Sequence, residues 1–427
     1  MSVIDKRLAS LSPDKQKLFD MLLKSKGLIH NEPDNLEIGQ VVNGAPGPGP
    51  AELIRPISFS IFFFSEEARN TPRNKYDLII ESAKLADKLG FEAIWTPERH
   101  FHPFGGLYPN PSVLTAALAM VTNRLDLRAG SVVMPLHHPI RVAEEWSVVD
   151  NLSNGRIGLG FASGWHIDDF VLAPDAYKAR KDLTFDNIEI IRKLWAGGSV
   201  PWIGANGRET QVSIYPKPVS KELPIWITSA GSEDTFIRAG LIGANILTGL
   251  TGQSVDELGK KVKLYRQARG QHVDRGRNGK VSLMLHTFIG ESEGEIKEIV
   301  RKPMYSYLKT NLGLHKNLAQ SRDVSLGNQN FTPADEDALL QFAFDRYFNG
   351  SALFGTPTSC NRMLRRLNDI EIDEACCLVD FGIDSAAILE GIHHLATLKD
   401  RVQMVAPLPV TNHIPEPDGS SKGASHV

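Results

Sequence analysis

The chain has 427 residues, 42% of them hydrophobic and 23% charged, with a formal net charge of −3. That is the make-up of a soluble globular protein with one large core or two smaller ones. The charge offers nothing to nucleic acid or to an anionic membrane, and no apolar run reaches the roughly 18 to 20 residues that a bilayer span needs.

The first twenty residues, MSVIDKRLASLSPDKQKLFD, lack the apolar middle of a secretory signal. Residues 1–30 read as a short helical segment in which Ser12 caps the start, Pro13 suits the first turn and Gly27 ends it. Leu11, Leu18, Met21 and Leu22 fall on one face of that helix. Residues 31–56 carry five prolines and four glycines, which is linker chemistry. Residues 406–427 read as a disordered tail.

Between these ends, 57–405 alternates apolar runs with helical patterns. Strands are expected at 57–64, 91–96, 125–133, 157–162, 224–229, 244–249, 281–290 and 375–381. Helices are expected at 76–89, 111–122, 139–152, 182–196, 232–240, 254–269, 292–310, 357–369 and 384–398. The strands are continuously apolar, as in a parallel sheet buried on both faces. Eight strand–helix units point to an α/β protein, a (β/α)8 TIM barrel with insertions at 197–222 and 313–350. A doubly wound open sheet has the same periodicity. The cysteines are Cys360, Cys376 and Cys377; the last two adjoin on a strand and point to opposite faces, which keeps them from bonding to each other or sharing a metal. A reducing cytoplasm is the expected location.

In a barrel the chemistry sits where strands end. After the fifth strand, SAGSEDT brings Ser229, Ala230, Gly231 and Ser232 to a helix start. There hydroxyls, exposed amides and the positive helix end favour an anion such as phosphate, and Gly231 lets the backbone approach closely. The competing reading is Ser232 as an ordinary cap. After the second strand, PERHFHPFGG sets His100 and His102 on one side of Phe101 if the extended geometry persists. A His-x-His pair suits a metal, but only Asp380 at the eighth strand and His166 after the fourth are on offer as further ligands. The imidazoles are therefore read as acid–base or polar substrate contacts, with a structural role as the rival.

His137-His138 before Pro139 reads as a helix entry with one surface imidazole, and Arg141 with Glu145 as an i,i+4 pair. Asn154-Gly155 stops a helix, and the strand that follows carries glycines, which mark close approach by another backbone or a ligand. Ser163 and Gly164 then line the mouth beside Ser229, and Trp165 is either part of that mouth or a core plug. There is no dinucleotide fingerprint and no Walker-type loop, so the chain shows no nicotinamide site of its own.

Three segments, FEAIWTPERHFHPFGG, GSVVMPLHHPIRVAEEWSVVDNLSNGRIGLGFASGWHIDDF and IWITSAGSEDTFIRAGLIGANILT, resemble in order and spacing the bacterial-luciferase-like flavin-dependent monooxygenases. The resemblance covers about residues 57 to 400 and is strongest to the branch found in polyketide and nonribosomal peptide pathways. LSPDKQKLFDMLLKSKG also resembles segments that precede catalytic domains in those assembly lines. The resemblance implies a barrel that binds reduced FMN and uses it with O2. It places Ser229 and Ser232 at the FMN phosphate, with Ala230 and Gly231 between them, and Gly130-Ser131 at a non-proline cis peptide against the flavin ring, where small residues fit.

Ser163 stands where luciferase has a phosphate-contacting arginine, so Arg180 or Lys181 is the substitute charge. Arg99 stands where luciferase has the first and more important of two histidines, and His100 matches the second. Arginine cannot act as a base near neutral pH but can hold an anion. The expectation is a two-component monooxygenase that takes reduced FMN from a separate flavin reductase and hydroxylates an acyl or aminoacyl group, a small molecule or one tethered to a carrier protein. His100, His102 and His166 would handle protons and Arg99 the electrostatics, with no metal; homodimers are common among relatives. A deazaflavin-dependent hydride-transfer enzyme and a flavin-binding protein without turnover are the alternatives.

Overall fold

The computed structural model describes residues 55–64, 75–102, 105–272, 279–320 and 332–405. The expected N-terminal helix, nearly all of the linker and the tail lie outside the described residues. Eight parallel strands form the barrel: β1 (Ser58–Phe62), β2 (Ala93–Thr96), β3 (Asp126–Val133), β4 (Ile157–Ala162), β7 (Ile225–Ser229), β8 (Asn245–Gly249), β9 (Val281–Ile289) and β11 (Glu374–Leu378). Each pairs with the next, and β11 returns to β1, so the ring closes and an open sheet is excluded. Closure leaves no strand edge unpaired. All eight fall where the apolar runs placed them.

Helices α1 (Asp77–Leu89), α2 (Pro111–Ala119), α3 (Pro139–Ser153), α4 (Arg180–Trp195), α5 (Glu233–Leu241), α6 (Val255–Arg269), α7 (Glu293–Gln320) and α10 (Ser385–Val405) follow the eight strands in turn. Their ends obey local chemistry. Asn110 accepts the Val113 N–H at the start of α2, Ser254 and Glu257 form a capping box on α6, and Asn154 closes α3 in the left-handed region. Among the described residues no helix is long and apolar enough to cross a membrane.

Both expected insertions carry more structure than their composition suggested. In 197–222 the strands β5 (Val200–Ile203) and β6 (Glu209–Val212) pair as an antiparallel hairpin. Within 313–350, α7 continues to Gln320 and α8 (Pro333–Gly350) starts from a Thr332–Asp335 capping box. A short strand, β10 (Leu353–Gly355), then pairs with the last three residues of β9. The next helix, α9 (Asn361–Asp369), begins four residues later than expected, because Thr356 and Ser359 bond each other in a turn.

Two glycines of β4 have definite causes. A Cβ at Gly158 would lie 2.8 Å from the Trp226 ring, and one at Gly160 would lie 2.7 Å from the Ala129 carbonyl oxygen. Gly160 thus makes room for β3 where its register shifts between Gly130 and Val132.

The end of the barrel where the strands begin is closed by an ion cluster. Arg128 of β3 reaches across to Glu374 of β11, with NH1 at 3.0 and 2.9 Å from its two oxygens. Its NH2 donates to Glu92 at 2.5 Å and to Asp126 at 2.9 Å. Trp95 and Trp226 lie 5.3 and 4.7 Å from the guanidinium. Ser60 and Ser282 donate to Glu374 at 2.6 Å each and accept the indole N–H groups of Trp95 and Trp226. Burial opposes both charges, but the carboxylates win at Arg128, whose pKa is raised. Arg128 and Lys280 likewise outweigh burial at Glu92 and hold it near about 2. Removing one member strands the others, so Arg128→Ala should lose about 3–5 kcal/mol of stability. Urea denaturation measures this; a loss no larger than that of the exposed Arg141→Ala change would contradict the role given to the cluster.

Candidate active site

At the other end, where the strands finish, the segment after β2 supplies the densest polar chemistry. Glu98 is buried and accepts the Val133 N–H at 2.7 Å, His137 Nε2 at 2.6 Å and His100 Nε2 at 2.9 Å. This one carboxylate ties the end of β2 to the end of β3 and to the entry of α3. Burial raises its pKa, yet the bonds from His100, His137 and Val133 outweigh that and keep it below the usual carboxylate range. The same contact, working against burial, raises the pKa of His137. His138 is the surface imidazole expected at the helix entry and packs on Trp202, and Arg141 pairs with Glu145 at 2.8 Å. His137, by contrast, belongs to the site.

The extended geometry expected through Phe101 does not persist. Phe101 has φ 53°, a left-handed turn that throws its ring into solvent as the chain folds back toward Tyr108, whose carbonyl accepts the Arg99 N–H. His100 therefore turns to Glu98 while His102 stacks toward His166, with ring centroids 6.2 Å apart. Arg99 is buried, with Asp169 Oδ2 3.7 Å from NH1 and the exposed Trp165 ring 4.7 Å from its guanidinium. Trp165 is thus a rim residue and no core plug. His166 is also buried, its pKa lowered by burial and then by Arg99. Asp380 accepts the Phe64 N–H at 2.8 Å and the Tyr108 hydroxyl at 3.2 Å, which makes it a brace of the mouth. Among the described residues no group of three or more His, Cys, Asp or Glu is placed to hold a metal ion.

The candidate anion seat lies at the end of β7. Ser229 is buried, and its hydroxyl oxygen accepts the Gly231 N–H at 3.3 Å. Gly231 has φ 129°, and a Cβ there would meet Lys261 Nζ at 3.2 Å and Gln253 Oε1 at 3.3 Å. Ala230 and Ser232 are exposed, and Ser232 sits at the N-cap of α5 without a side-chain capping bond, which leaves the first-turn amides with capacity for an anion. Lys261 from α6 donates to Gln253 at 2.8 Å, and Gln253 is held by the Gly249 carbonyl at 2.7 Å. An ammonium therefore stands against the seat. Arg180 reaches the other flank of the mouth, where its Nε and NH1 donate to the Gly164 and Tyr177 carbonyls at 3.3 and 2.8 Å. In the β4–β7 register, Phe161 pairs with Ile227, so Ser163 comes level with Ser229 two residues on.

The Gly130–Ser131 peptide is cis. Gly130 is small for a core reason, since a Cβ would lie 2.8 Å from Phe62 and 3.0 Å from Trp95. The Ser131 hydroxyl shares a hydrogen bond with Thr228 of β7, which links this wall to the strand that ends in the seat. Sequence reading missed Glu98, His137, Asp169, Gln253 and Lys261. Glu98 had a signal, as a carboxylate at a strand end among histidines. Lys260-Lys261 looked like any solvated helix face, and only the packing of α6 beside α5 brings Lys261 to Gly231.

A family model described as luciferase-like monooxygenase matches residues 57–374. The oxygenase component of the flavin-dependent trigonelline monooxygenase of Acinetobacter baylyi is 31% identical over 243 residues, 56% of this chain. That match spans 66% of the relative, just under two thirds of its length. The oxygenating constituent of 3,6-diketocamphane monooxygenase from Pseudomonas putida, solved in complex with FMN, has a TM-score of 0.62 at 17% identity, covering 83% of this chain and 100% of that one. A secondary alcohol dehydrogenase dependent on coenzyme F420, a deazaflavin, has a TM-score of 0.58 at 15% identity, covering 81% and 99%. The two structural likenesses establish a common barrel fold.

The Glu98–His137 contact sets a measurable titration. With the carboxylate present, His137 should titrate above the ordinary imidazole value; in Glu98→Gln only the smaller pull of Glu145 is left against burial, and the midpoint should fall. The two ring-proton titration curves by NMR decide this, and coincident midpoints would refute the assignment.

Proposed function

This chain belongs to the luciferase-like monooxygenase family, and from that premise we propose that it is the oxygenase of a two-component system. It takes reduced FMN from a separate reductase and, with O2, hydroxylates an acyl or aminoacyl compound, free or tethered to a carrier protein, in natural-product biosynthesis. The observation that carries the reading is the pairing of an anion seat at Ser229–Ser232 with a wall at Gly130–Ser131, joined through the Ser131–Thr228 hydrogen bond. Bound across them, reduced FMN supplies the oxygen chemistry.

The chain's own residues bind, orient and shield. The Ser229 and Ser232 hydroxyls, the Ala230 amide and the Lys261 ammonium would hold the phosphate over Gly231, whose own N–H is given to Ser229, with Ser163 and Gly164 alongside and Gly130 and Ser131 facing the ring. Lys261 adds a charge at Gly231 to the one expected from Arg180 or Lys181. Glu98, kept ionised, fixes the rings of His100 and His137. His166, neutral near pH 7, is able to accept a proton beside His102 and Arg99. A separate reductase is supported by the Acinetobacter relative, which is the oxygenase component of its system, and by the lack of a nicotinamide fingerprint in this sequence.

Anaerobic titration with reduced FMN followed by labelled O2 tests the activity. The expected result is one bound flavin per chain and one labelled oxygen atom in the product. Binding of a deazaflavin with oxygen-independent turnover would replace this reading with hydride transfer. The seat is tested separately by comparing FMN with riboflavin, which lacks the phosphate. Lys261→Gln and Ser229→Ala should each weaken FMN by about five- to twentyfold and leave riboflavin unchanged. Equal losses for both flavins would remove the phosphate from this seat.

A further inference from the structure

Arg128 and Arg99 are buried at opposite ends of the barrel and are treated in opposite ways. Arg128 has a partner for each terminal nitrogen. Arg99 is just as buried, at 4% exposure, yet its Nε, NH1 and NH2 all lack a hydrogen-bond partner. Its stem is fixed: the backbone N–H is bonded to Tyr108, and a Cβ at Gly105 would lie 2.8 Å from Arg99 Cγ. One face of the guanidinium is covered by Trp165. An arginine in this setting keeps its charge at neutral pH, and an uncompensated buried cation is costly. The fork is therefore built for a partner that the chain does not itself provide.

Asp169 is not that partner. Its Oδ2 stands 3.7 Å from NH1, beyond hydrogen-bond reach, and its Oδ1 has no hydrogen-bond partner. Burial raises the pKa of its carboxyl against the pull of Arg99. His166 Nδ1 also lacks a partner and lies 3.8 Å from Asp169 Oδ1. Three buried polar groups thus face one another across gaps too long for direct bonds.

The place is also significant. Arg99 emerges three residues beyond Thr96, which pairs with Ala129, so it rises beside the Gly130–Ser131 wall, and the Glu98–Val133 bond fixes that relation. The apolar side chains of Phe101, Ile167, Val171 and Leu172 are exposed on the two segments that carry Arg99 and Asp169.

We propose that Arg99 receives an ionised carboxylate of the substrate, so that the compound oxidised here carries a free carboxyl group near its reacting atom and an apolar body toward the rim. A planar carboxylate matches the unpaired fork in both geometry and charge. The proposal rests on the flavin reading for the identity of the reacting site. It also refines the substrate class: an acyl group joined to a carrier as a thioester has no ionised oxygen at that carbon, so the fork calls for a free acid or for a second carboxyl.

The experiment is calorimetric titration of the FMN-loaded protein with two matched pairs, benzoate against benzamide and hexanoate against hexanamide, in wild type, Arg99→Gln and Arg99→Lys. FMN affinity is measured on the same samples. Wild type should prefer each carboxylate over its amide by about tenfold or more. The Gln variant should lose that preference and keep its FMN affinity, and the Lys variant should retain part of the preference. The proposal is overturned if wild type binds acid and amide alike, which would leave ordered water as the partner of the fork. It is equally overturned if the Gln variant keeps the preference, or if it loses FMN binding in step with it, which would assign the fork to the flavin. Should wild type bind no FMN, the flavin reading falls, and the same titrations on the unloaded protein still decide the carboxylate site.

Discussion

A closed ring of eight short parallel strands holds its shape only if its interior is filled, and at one end of this barrel that depends on a single guanidinium. Arg128 spans from β3 to Glu374 on β11 between two tryptophan rings, with Glu92 and Asp126 as its other partners and Ser60 and Ser282 donating to Glu374. The arrangement is tolerable in a dry core because each charge is opposed and each carboxylate oxygen of Glu374 is bonded. It ties β3 to β11, two strands that are not neighbours in the ring, so the far ends of the same strands arrive at fixed positions. Gly158 belongs to the same device, since anything larger would displace Trp226.

At the mouth the logic reverses. Glu98 is satisfied and acts as a tie, holding β2, β3 and α3 to one another. Arg99, His166 and Asp169 beside it are buried with unpaired atoms. One end of the barrel spends its polar groups on one another, and the other end keeps several in reserve. That contrast separates a stability cluster from the candidate site without appeal to residue type, since arginine and carboxylate occur in both.

The barrel was legible because its strands are buried on both faces. Runs such as ISFSIFFF and FEAIWT carry enough continuous apolar character to mark parallel strands, and the helix ends carry Ser, Asn and Pro where capping chemistry wants them. The proposed seat could be suggested from sequence for a related reason: Ser229, Gly231 and Ser232 lie within four residues of one another, so their joint chemistry is local. The hairpin in 197–222 and helix α8 in 313–350 were hidden, the first under a glycine- and proline-rich composition and the second inside a segment read as insertion.

What local chemistry could reveal, then, was the alternation of elements, the phosphate-like seat and the resemblance carried by three segments. What depended on the folded chain was every contact between residues far apart in sequence. Glu98 with His137, Lys261 with Gly231 and Arg99 with Asp169 are separated by tens of residues and meet only because strand register and helix packing bring them together. Residue type and spacing report what a side chain is able to do; whether a buried charge is paired is a property of its surroundings, and at Arg99 the surroundings leave it open.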